Sequence, residues 1–410
     1  MMMISYRSFR NNKLYALSSL SSSIHVMKDR NENNKINLAV LGTGAVGLYY
    51  GGRLLESELL NSSKINVKFI ARNYYKACND LGFSITSIDG DKVFTPYDVK
   101  KKFYNDPVSL LNSYKDNNST VDWIIVTIKS YAINEKIKSV LDPLVSSNPN
   151  IRILLIINGY GVERLFKEWY GSERVFVSLA FTCINRILTK DSSNAITSVL
   201  IDHTAVGHLL IGHCNNNTYE LEKVKQLFEN SKIRVNTTES LIRSVWLKLT
   251  WNICFNGMTV ALGGVTTDII AKDEYLRSLA TKIMTEIIEL ANDDIRDFYT
   301  SLNIDATKYF IDQNHIDIMW KYTDEMGKYK TSSALDLANN TELEIEYLFT
   351  NVWHRAIFHS KKKCNELAIK DNNKSFYPYI DHLMKMIHGI NNIAQLKRKL
   401  KHLWHPTFME

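Results

Sequence analysis

The stretch that decides the fold is Asn37-Leu-Ala-Val-Leu41 followed directly by Gly42-Thr-Gly-Ala-Val-Gly47. The first five residues form an apolar run of strand length, the hexapeptide has G-x-G-x-x-G spacing, and residues 48–60 continue in a helical pattern. In this context the glycines allow a tight turn, a close approach of the backbone to a pyrophosphate, and close packing of helix on strand. We therefore predict a dinucleotide-binding Rossmann unit, with a chance glycine turn as the alternative.

The end of the second strand bears on which dinucleotide would bind. The next predicted strand, Ile65–Ile70, is followed by Ala71 and Arg72. An NAD-binding unit places Asp or Glu at this strand end to hold the ribose hydroxyls, whereas an arginine suits the additional phosphate of NADP. The sequence predicts NADP(H) as the cofactor, and an exposed loop arginine is the alternative interpretation.

Two further apolar runs indicate a parallel sheet. Trp123–Ile128 is followed by Lys129, and Ile153–Ile157 is followed by Asn158. Continuous apolar strands that alternate with helices are typical of a sheet covered on both faces, which binds ligands at the carboxyl ends of its strands. Position alone therefore makes Lys129 and Asn158 candidate site residues. We also expect strands at 175–181 and 209–212 and a hairpin around 89–90.

The longest predicted helix begins near the capping candidates Thr237 and Thr238 and stops at the pair Gly263-Gly264. Its surface is apolar except for a polar stripe at i, i+4 and i+8, formed by Lys248, Asn252 and Asn256. Burying a lysine is costly unless the ammonium has partners and a task. The stripe is thus either a functional site or the solvated edge of an amphipathic helix.

Only helical patterns follow this helix, at residues 275–295, 309–326 and 343–367 and after Pro378. The predicted fold class is α/β, with an N-terminal doubly wound Rossmann-type domain followed by an all-helical C-terminal domain. We place the domains at residues 35–236 and 237–410, after an extension of residues 1–34.

Composition excludes several classes of protein. The chain of 410 residues is 45% hydrophobic and 23% charged, and it lacks an apolar run of the roughly 18 residues that span a membrane. Its five scattered cysteines fit a reducing, intracellular compartment. Much of the net charge of +7 lies at the two ends of the chain, which argues against a nucleic-acid partner. His203, His208 and His213 fall on alternating faces of a strand, so no metal site is predicted.

The first 28 residues are basic and rich in serine, with no acidic residue. This composition fits either an organelle transit peptide or a disordered terminus. The localisation therefore stays open between cytoplasmic and mitochondrial.

In its motifs the chain resembles the ketopantoate reductases (2-dehydropantoate 2-reductases) over residues 36–390. The motifs are the glycine loop with Tyr50-Gly51 behind it, the strand-end Arg72, Val126-Thr-Ile-Lys129, Asn158-Gly-Tyr-Gly161, Lys248-x3-Asn252-x3-Asn256, and Ser332 twelve residues before Glu344.

The resemblance implies a role for each of these residues. Lys248 would be the general acid that protonates the keto oxygen while NADPH delivers hydride to the carbonyl carbon. Glu344 would be the acidic partner that holds either Lys248 or the substrate hydroxyl. The substrate would be bound by Asn158, Asn252, Asn256 and Ser332. The cofactor would be bound by Gly42, Thr43, Gly44, Ala45, Val46, Gly47, Arg72, Lys129 and Asn158.

Several of these residues also have a structural interpretation. Glu344 completes a capping box with Thr341, Asn158 could belong to a simple turn, and Ser332 could cap the segment that follows it. The chain also departs from the family, which usually has Gln at position 157 and often Asn at position 329, where this chain has Ile157 and Tyr329. Thr266 stands where some members place another asparagine.

The predicted function is therefore NADPH-dependent reduction of 2-dehydropantoate to pantoate in pantothenate biosynthesis. The alternatives are a reductase of another branched 2-keto acid and a non-catalytic dinucleotide sensor. The expected partners are a small 2-keto acid and, as an open question, a second copy of the chain in a homodimer. Neither a nucleic acid nor a membrane is expected as a partner.

Overall fold

The computed structural model describes residues 35–60, 64–72, 74–115, 119–371 and 373–399. The targeting or disordered extension predicted for residues 1–34 lies outside the described residues. None of the described helices combines the length and the apolar character that a membrane span requires.

The described strands are β1 Ile36–Leu41, β2 Ile65–Ile70, β3 Phe83–Ser87, β4 Lys92–Phe94, β5 Phe103–Tyr104, β6 Trp123–Val126, β7 Arg152–Leu155, β8 Val175–Lys190, β9 Ile196–His213 and β10 Val235–Thr237. They form one curled sheet in the order β4-β3-β9-β8-β7-β6-β1-β2-β5, with β10 beside β9. The neighbouring strands β8, β7, β6, β1 and β2 pair in parallel, as predicted.

Helices cover both faces of this sheet. Alternating residues of β1 enter two separate cores, Leu38 and Val40 on one face and Ala39 and Leu41 on the other. This is the alternation that a strand buried on both sides requires. The helices of this part are α1 Ala45–Leu59, α2 Tyr75–Leu81, α3 Pro107–Lys115, α4 Glu135–Ser146, α5 Glu163–Tyr170 and α6 Thr218–Phe228.

The rest of the described chain is helical, as predicted, and it encloses a third core around the middle of α7. A single π-helical turn at Glu346–Thr350 precedes α12. The helices are α7 Leu241–Ala261, α8 Thr267–Lys272, α9 Glu274–Ser301, α10 His315–Met326, α11 Ser332–Ala338, α12 Asn351–Glu366 and α13 Pro378–Lys399. The division into two domains at residue 236 stays a prediction.

The strands predicted at 175–181 and 209–212 are the inner ends of a much longer hairpin. β8 and β9 pair antiparallel from Phe176 opposite His213 out to Lys190 opposite Ile196. The sequence prediction missed the outer half because one of its faces is exposed, so polar and apolar residues alternate there and no continuous apolar run marks the strand. The smaller hairpin around 89–90 is confirmed by β3 and β4.

The capping prediction for α7 was wrong. Ser240 is the N-cap, and its side chain accepts the amide hydrogen of Arg243, whereas the Thr238 hydroxyl accepts from the Ser240 amide. The predicted stop is confirmed, because the amides of Gly263 and Gly264 return to carbonyls of the last helical turn and both glycines have positive φ. The helix therefore begins and ends at local signals, and between them it packs against α9, α11 and α13.

Candidate active site

The glycine loop has the geometry of a dinucleotide site. Gly44 is the N-cap of α1, and a Cβ at this position would meet no atom within 4 Å, so the loop faces open space. A Cβ at Gly47 would lie 2.0 Å from the carbonyl oxygen of Gly42, so only glycine permits this close packing of helix on strand. The first amides of α1 are left without helical partners and can donate to phosphate oxygens. The loop residues 42–47 thus fit a pyrophosphate.

The two predicted phosphate-binding cations lie in different surroundings. Arg72 is exposed at the end of β2 and forms no ion pair with a described residue. The ammonium of Lys129, by contrast, lies 2.8 Å from Asp336 and 3.1 Å from Glu344. Arg72 is therefore available to an anion, whereas Lys129 is already paired with two carboxylates. The cofactor contact of Lys129 stays a prediction.

Lys248 lies at the centre of the site. Its Nζ donates to Asn158 Oδ1 at 2.7 Å and to the carbonyl oxygen of Ala180 at 2.8 Å, and it lies 5.6 Å from the centre of the Phe181 ring. Both hydrogen-bond acceptors are neutral, and no carboxylate of the described residues forms an ion pair with this ammonium. Since an ammonium has three donors, one remains for a substrate oxygen.

The surroundings of Lys248 change its acidity. Burial lowers the pKa of Lys248 from 10.5 to about 7, and the negative charge of Glu344 opposes this shift only partly. Desolvation disfavours the charged form of an amine, so the proton is held less tightly than in water. A lysine with a pKa near neutrality can both donate and accept a proton under physiological conditions.

The loop that carries Asn158 is fixed by the helical part of the chain. Gly159 has a φ of +125°, and a Cβ there would lie 2.7 Å from Tyr347. The Tyr160 amide donates to the carbonyl oxygen of Tyr347 at 2.7 Å, and the Tyr160 hydroxyl donates to Asp294 at 2.5 Å. Asp294 also accepts from the indole of Trp246, two residues before Lys248. The loop is thus anchored through Gly159 and Tyr160, directly after the residue that contacts Lys248.

The C-terminal part of the polar stripe, Asn252 and Asn256, faces α11. Asn256 is buried, and its Oδ1 accepts from the Ser332 hydroxyl at 3.2 Å and from the Ser333 amide at 3.1 Å. Asn252 is also buried, but its side chain makes no hydrogen bond with the described residues. The stripe is therefore not a solvated edge, and the cap of α11 is Thr331 rather than Ser332. The free amide of Asn252 leaves donors and an acceptor for a ligand.

Glu344 belongs to the site and not to a helix cap. Its carboxylate accepts from the Ser130 amide at 2.7 Å and from the Lys129 ammonium at 3.1 Å. The Thr341 hydroxyl donates instead to Asp336 at 3.1 Å, so the capping-box interpretation was wrong. Glu344 is close enough to Lys248 for its charge to affect the pKa of that lysine.

Lys129 holds together two carboxylates that would otherwise repel each other. Burial by itself lowers the pKa of Lys129, but the charges of Glu344 and Asp336 outweigh burial and raise it. Burial, together with the charge of Glu344, raises the pKa of Asp336 even though Lys129 opposes that shift. The three groups form a charged cluster beside the polar stripe, at the carboxyl end of β6.

The three positions that depart from the family pattern are Ile157, Thr266 and Tyr329. Ile157 is buried, and Thr266 is the N-cap of α8, with its hydroxyl 2.6 Å from Asp268. The ring centre of Tyr329 lies 6.2 Å from that of Trp251, and the proximity of the Cys183 thiol adds to burial in raising the pKa of Tyr329. Tyr329 thus extends from the segment before α11 towards β8.

Sequence reasoning missed three contributors to the site. The Ala180 carbonyl and the Ser130 amide are backbone groups, so no residue type could have indicated them. Asp336 lies four residues after Ser332, on the same face of α11, and this helical spacing was the available signal. The three histidines of β9 have separate environments, and the described residues contain no cluster of His, Cys, Asp and Glu arranged to hold a metal.

Comparison with known proteins indicates the family to which the chain belongs. Residues 38–215 match the family model "Ketopantoate reductase PanE/ApbA", and residues 240–361 match its C-terminal counterpart. A "2-dehydropantoate 2-reductase" of a Nostoc species is 28% identical over 88% of this chain and 98% of its own length.

Solved structures share the fold. The structure of 2-dehydropantoate 2-reductase from Geobacter metallireducens is 26% identical, covers 86% of this chain and 99% of its own, and has a TM-score of 0.66. A ternary structure of D-mandelate dehydrogenase with NADH and anilino(oxo)acetate has a TM-score of 0.65 at 16% identity, over 88% of this chain and 99% of its own. At that identity the second match shows the fold alone.

The protein combines a Rossmann-type sheet that has an open glycine loop with a helical part that carries a partly buried lysine. This combination is that of two-part oxidoreductases that act on CH–OH groups. Within that class, two family models that together cover most of the chain determine the family. The chain belongs to the ketopantoate reductase family.

Proposed function

We propose that the protein catalyses the NADPH-dependent reduction of 2-dehydropantoate to pantoate, a step of pantothenate biosynthesis. The observation that carries the proposal is the environment of Lys248, which is held by two neutral acceptors and pairs with no carboxylate in the described part of the chain. The family and the names of the relatives support the substrate. Arg72, which is exposed after β2 and forms no ion pair with the described residues, supports NADP(H) over NAD(H).

When bound, the dinucleotide would supply the hydride for the substrate carbon. Loop residues 42–47 would hold its pyrophosphate through backbone amides, and Arg72 would bind its additional phosphate. Lys129 and Asn158 are further proposed contacts, and Asn158 would serve both the cofactor and Lys248.

Lys248 would act as the general acid. Hydride addition to a keto carbon leaves negative charge on its oxygen, and the third N–H of the Lys248 ammonium can stabilise that charge and transfer a proton. Asn158 and the Ala180 carbonyl fix the position of Nζ, so little reorganisation is needed during the reaction. Glu344 would help to keep Lys248 protonated.

The substrate would lie along the polar stripe. Asn252 has a free amide, and Asn256 and Ser332 are held against each other on the same side. These groups can bind the carboxylate and hydroxyl of a small 2-keto acid. A non-catalytic sensor would not need this assembled set of polar groups, so we do not favour that alternative.

The test is the rate of NADPH oxidation by the full-length protein with 2-dehydropantoate. The controls are 2-ketoisovalerate as the second keto acid and NADH as the second cofactor. Turnover selective for 2-dehydropantoate and NADPH is expected. Equal or faster turnover of 2-ketoisovalerate would contradict the proposed substrate, and equal use of NADH would contradict the proposed cofactor.

A further inference from the structure

Arg186, on the outer half of β8, reaches the proposed cofactor site from a strand that no Rossmann motif includes. Its Nη1 donates to the carbonyl oxygen of Thr43 in the glycine loop at 2.7 Å. Its guanidinium carbon lies 4.1 Å from the ring centre of Tyr74, two residues after Arg72. The long hairpin therefore places a cation between the glycine loop and the β2–α2 loop, the two loops that meet the phosphates of a dinucleotide.

The charge of Arg186 is not compensated by the described protein. Arg53, Arg152 and Arg355 each pair with a carboxylate. Arg186 is half-buried like Arg152, but it forms no ion pair with any described residue. Half-burial of a guanidinium without a counter-ion has a cost in free energy, so this arrangement calls for an anion that binds there.

The hydrogen-bonding capacity of Arg186 is also mostly unused. A guanidinium has five N–H donors, and the bond to Thr43 is the one that Arg186 makes with the described residues. Stacking on Tyr74 fixes the orientation of the guanidinium plane but does not neutralise the charge of Arg186. A planar, oriented guanidinium with free donors is well suited to bind phosphate oxygens in a bidentate manner.

We propose that Arg186 binds a phosphate group of the dinucleotide, beside Arg72. The inference rests on the proposed function to the extent that a dinucleotide is the ligand, and it adds a residue of β8 to that site. The position between the two loops is compatible with the 2′-phosphate of NADPH and with the pyrophosphate common to NADPH and NADH. The 2′-phosphate and the pyrophosphate both present phosphate oxygens to Arg186. Comparing the affinities of the Arg186 variants for NADPH and for NADH distinguishes the two groups.

The experiment measures dissociation constants of NADPH and NADH by calorimetry for the full-length protein and three variants at position 186. Arg186→Ala removes the charge and the hydrogen bond to Thr43, Arg186→Gln removes the charge but keeps an N–H donor, and Arg186→Lys keeps the charge. We expect Arg186→Ala and Arg186→Gln to weaken NADPH binding about tenfold or more, with Arg186→Lys in between. A larger loss for NADPH than for NADH identifies the 2′-phosphate, and equal losses identify the pyrophosphate.

The matched control is Lys190→Ala, which removes a positive charge from the exposed end of the same strand, where Lys190 contacts Asn194. Wild-type affinity in Arg186→Gln would show that only the hydrogen bond to Thr43 matters and would overturn the proposal. Unchanged affinity in Arg186→Ala, or an equal loss in Lys190→Ala, would also overturn it.

Turnover of 2-dehydropantoate by the wild-type protein is measured in parallel. If the protein binds NADPH without turnover, the proposed reaction fails while the assignment of Arg186 is still decided by the binding constants. If the wild-type protein binds neither dinucleotide, both proposals are refuted.

Discussion

The pH dependence of the reduction tests the role of Lys248 directly. Its pKa is lowered from 10.5 to about 7, with burial as the main cause. A general acid works in its protonated form, and the proton is lost as the pH rises through the pKa. At pH 8 only about a tenth of Lys248 would keep its proton, whereas an ordinary lysine would be almost fully protonated. We therefore expect kcat/KM for 2-dehydropantoate to fall about tenfold per pH unit above pH 7.

The assay is initial-rate kinetics at saturating NADPH between about pH 5.5 and pH 9.5. In the reverse direction, oxidation of pantoate by NADP requires the neutral amine, so that rate should rise through the same pH range. Glu344→Gln removes a negative charge that raises the pKa of Lys248, and it should move the descending limb to lower pH. Lys248→Ala should lower turnover by about 10² or more, and the rate of this variant should no longer fall above pH 7.

The matched control is Lys102→Met. Lys102 is also largely buried, but it is paired with Glu58 and lies away from the polar stripe, so its removal should leave the pH profile unchanged. A profile that stays flat to pH 9 in the wild-type protein would refute the argument, because a desolvated general acid cannot remain protonated there. If the descending limb of the pH profile moved to higher pH in Glu344→Gln, the proposed effect of the Glu344 charge on the pKa of Lys248 would be contradicted.

Three further predictions concern the cofactor, the core and the substrate. Arg72→Ala should weaken NADPH about tenfold and leave NADH nearly unchanged in calorimetric titrations; an unaltered preference would contradict the strand-end argument. Asp294→Asn should lower the melting temperature by about 6 °C or more, because Asp294 is buried with Tyr160, Trp246 and Arg355. The control Asp324→Asn, in the exposed ion pair with Arg277, should shift the melting temperature by less than about 2 °C. Tyr329→Asn should change the ratio of kcat/KM for 2-dehydropantoate and 2-ketoisovalerate by about tenfold without altering NADPH affinity. An unchanged ratio would place the Tyr329 side chain outside the substrate pocket.

The network around Asp294 also has a defined pH dependence. Burial by itself raises the pKa of Asp294, but His359, Arg355, Tyr160 and Trp246 together lower it from 3.8 to about 2. A carboxylate whose pKa is lower in the folded state stabilises the fold above the unfolded pKa, and that contribution is lost as the pH falls from about 4 through 2. The loop that carries Asn158 should therefore lose its anchor only under strongly acidic conditions, well below the range in which Lys248 titrates.

Much of the architecture could be predicted from the sequence because it depends on local patterns. The strand, glycine turn and helix at residues 37–60 reflect short-range sterics and burial on both faces, and the structure confirms them. The i, i+4, i+8 spacing put Lys248, Asn252 and Asn256 on one face of α7 before any fold was known. The helical character of the second part follows equally from the periodicity of its apolar residues.

The tertiary structure decided what these residues contact. The fold brings Lys129 to Asp336 and Glu344, more than 200 residues away in sequence, and neither ion pair could be predicted from the sequence. The second acceptor of Lys248 is the carbonyl oxygen of Ala180, which no side chain indicates. The outer half of the β8–β9 hairpin, which carries Arg186 to the glycine loop, has one exposed face and so lacks the apolar run that marks a buried strand. The sequence by itself therefore determined which residues share a local face. Backbone acceptors, desolvation and ion pairs between distant segments arise only when the chain is folded, and they set the acidity of Lys248.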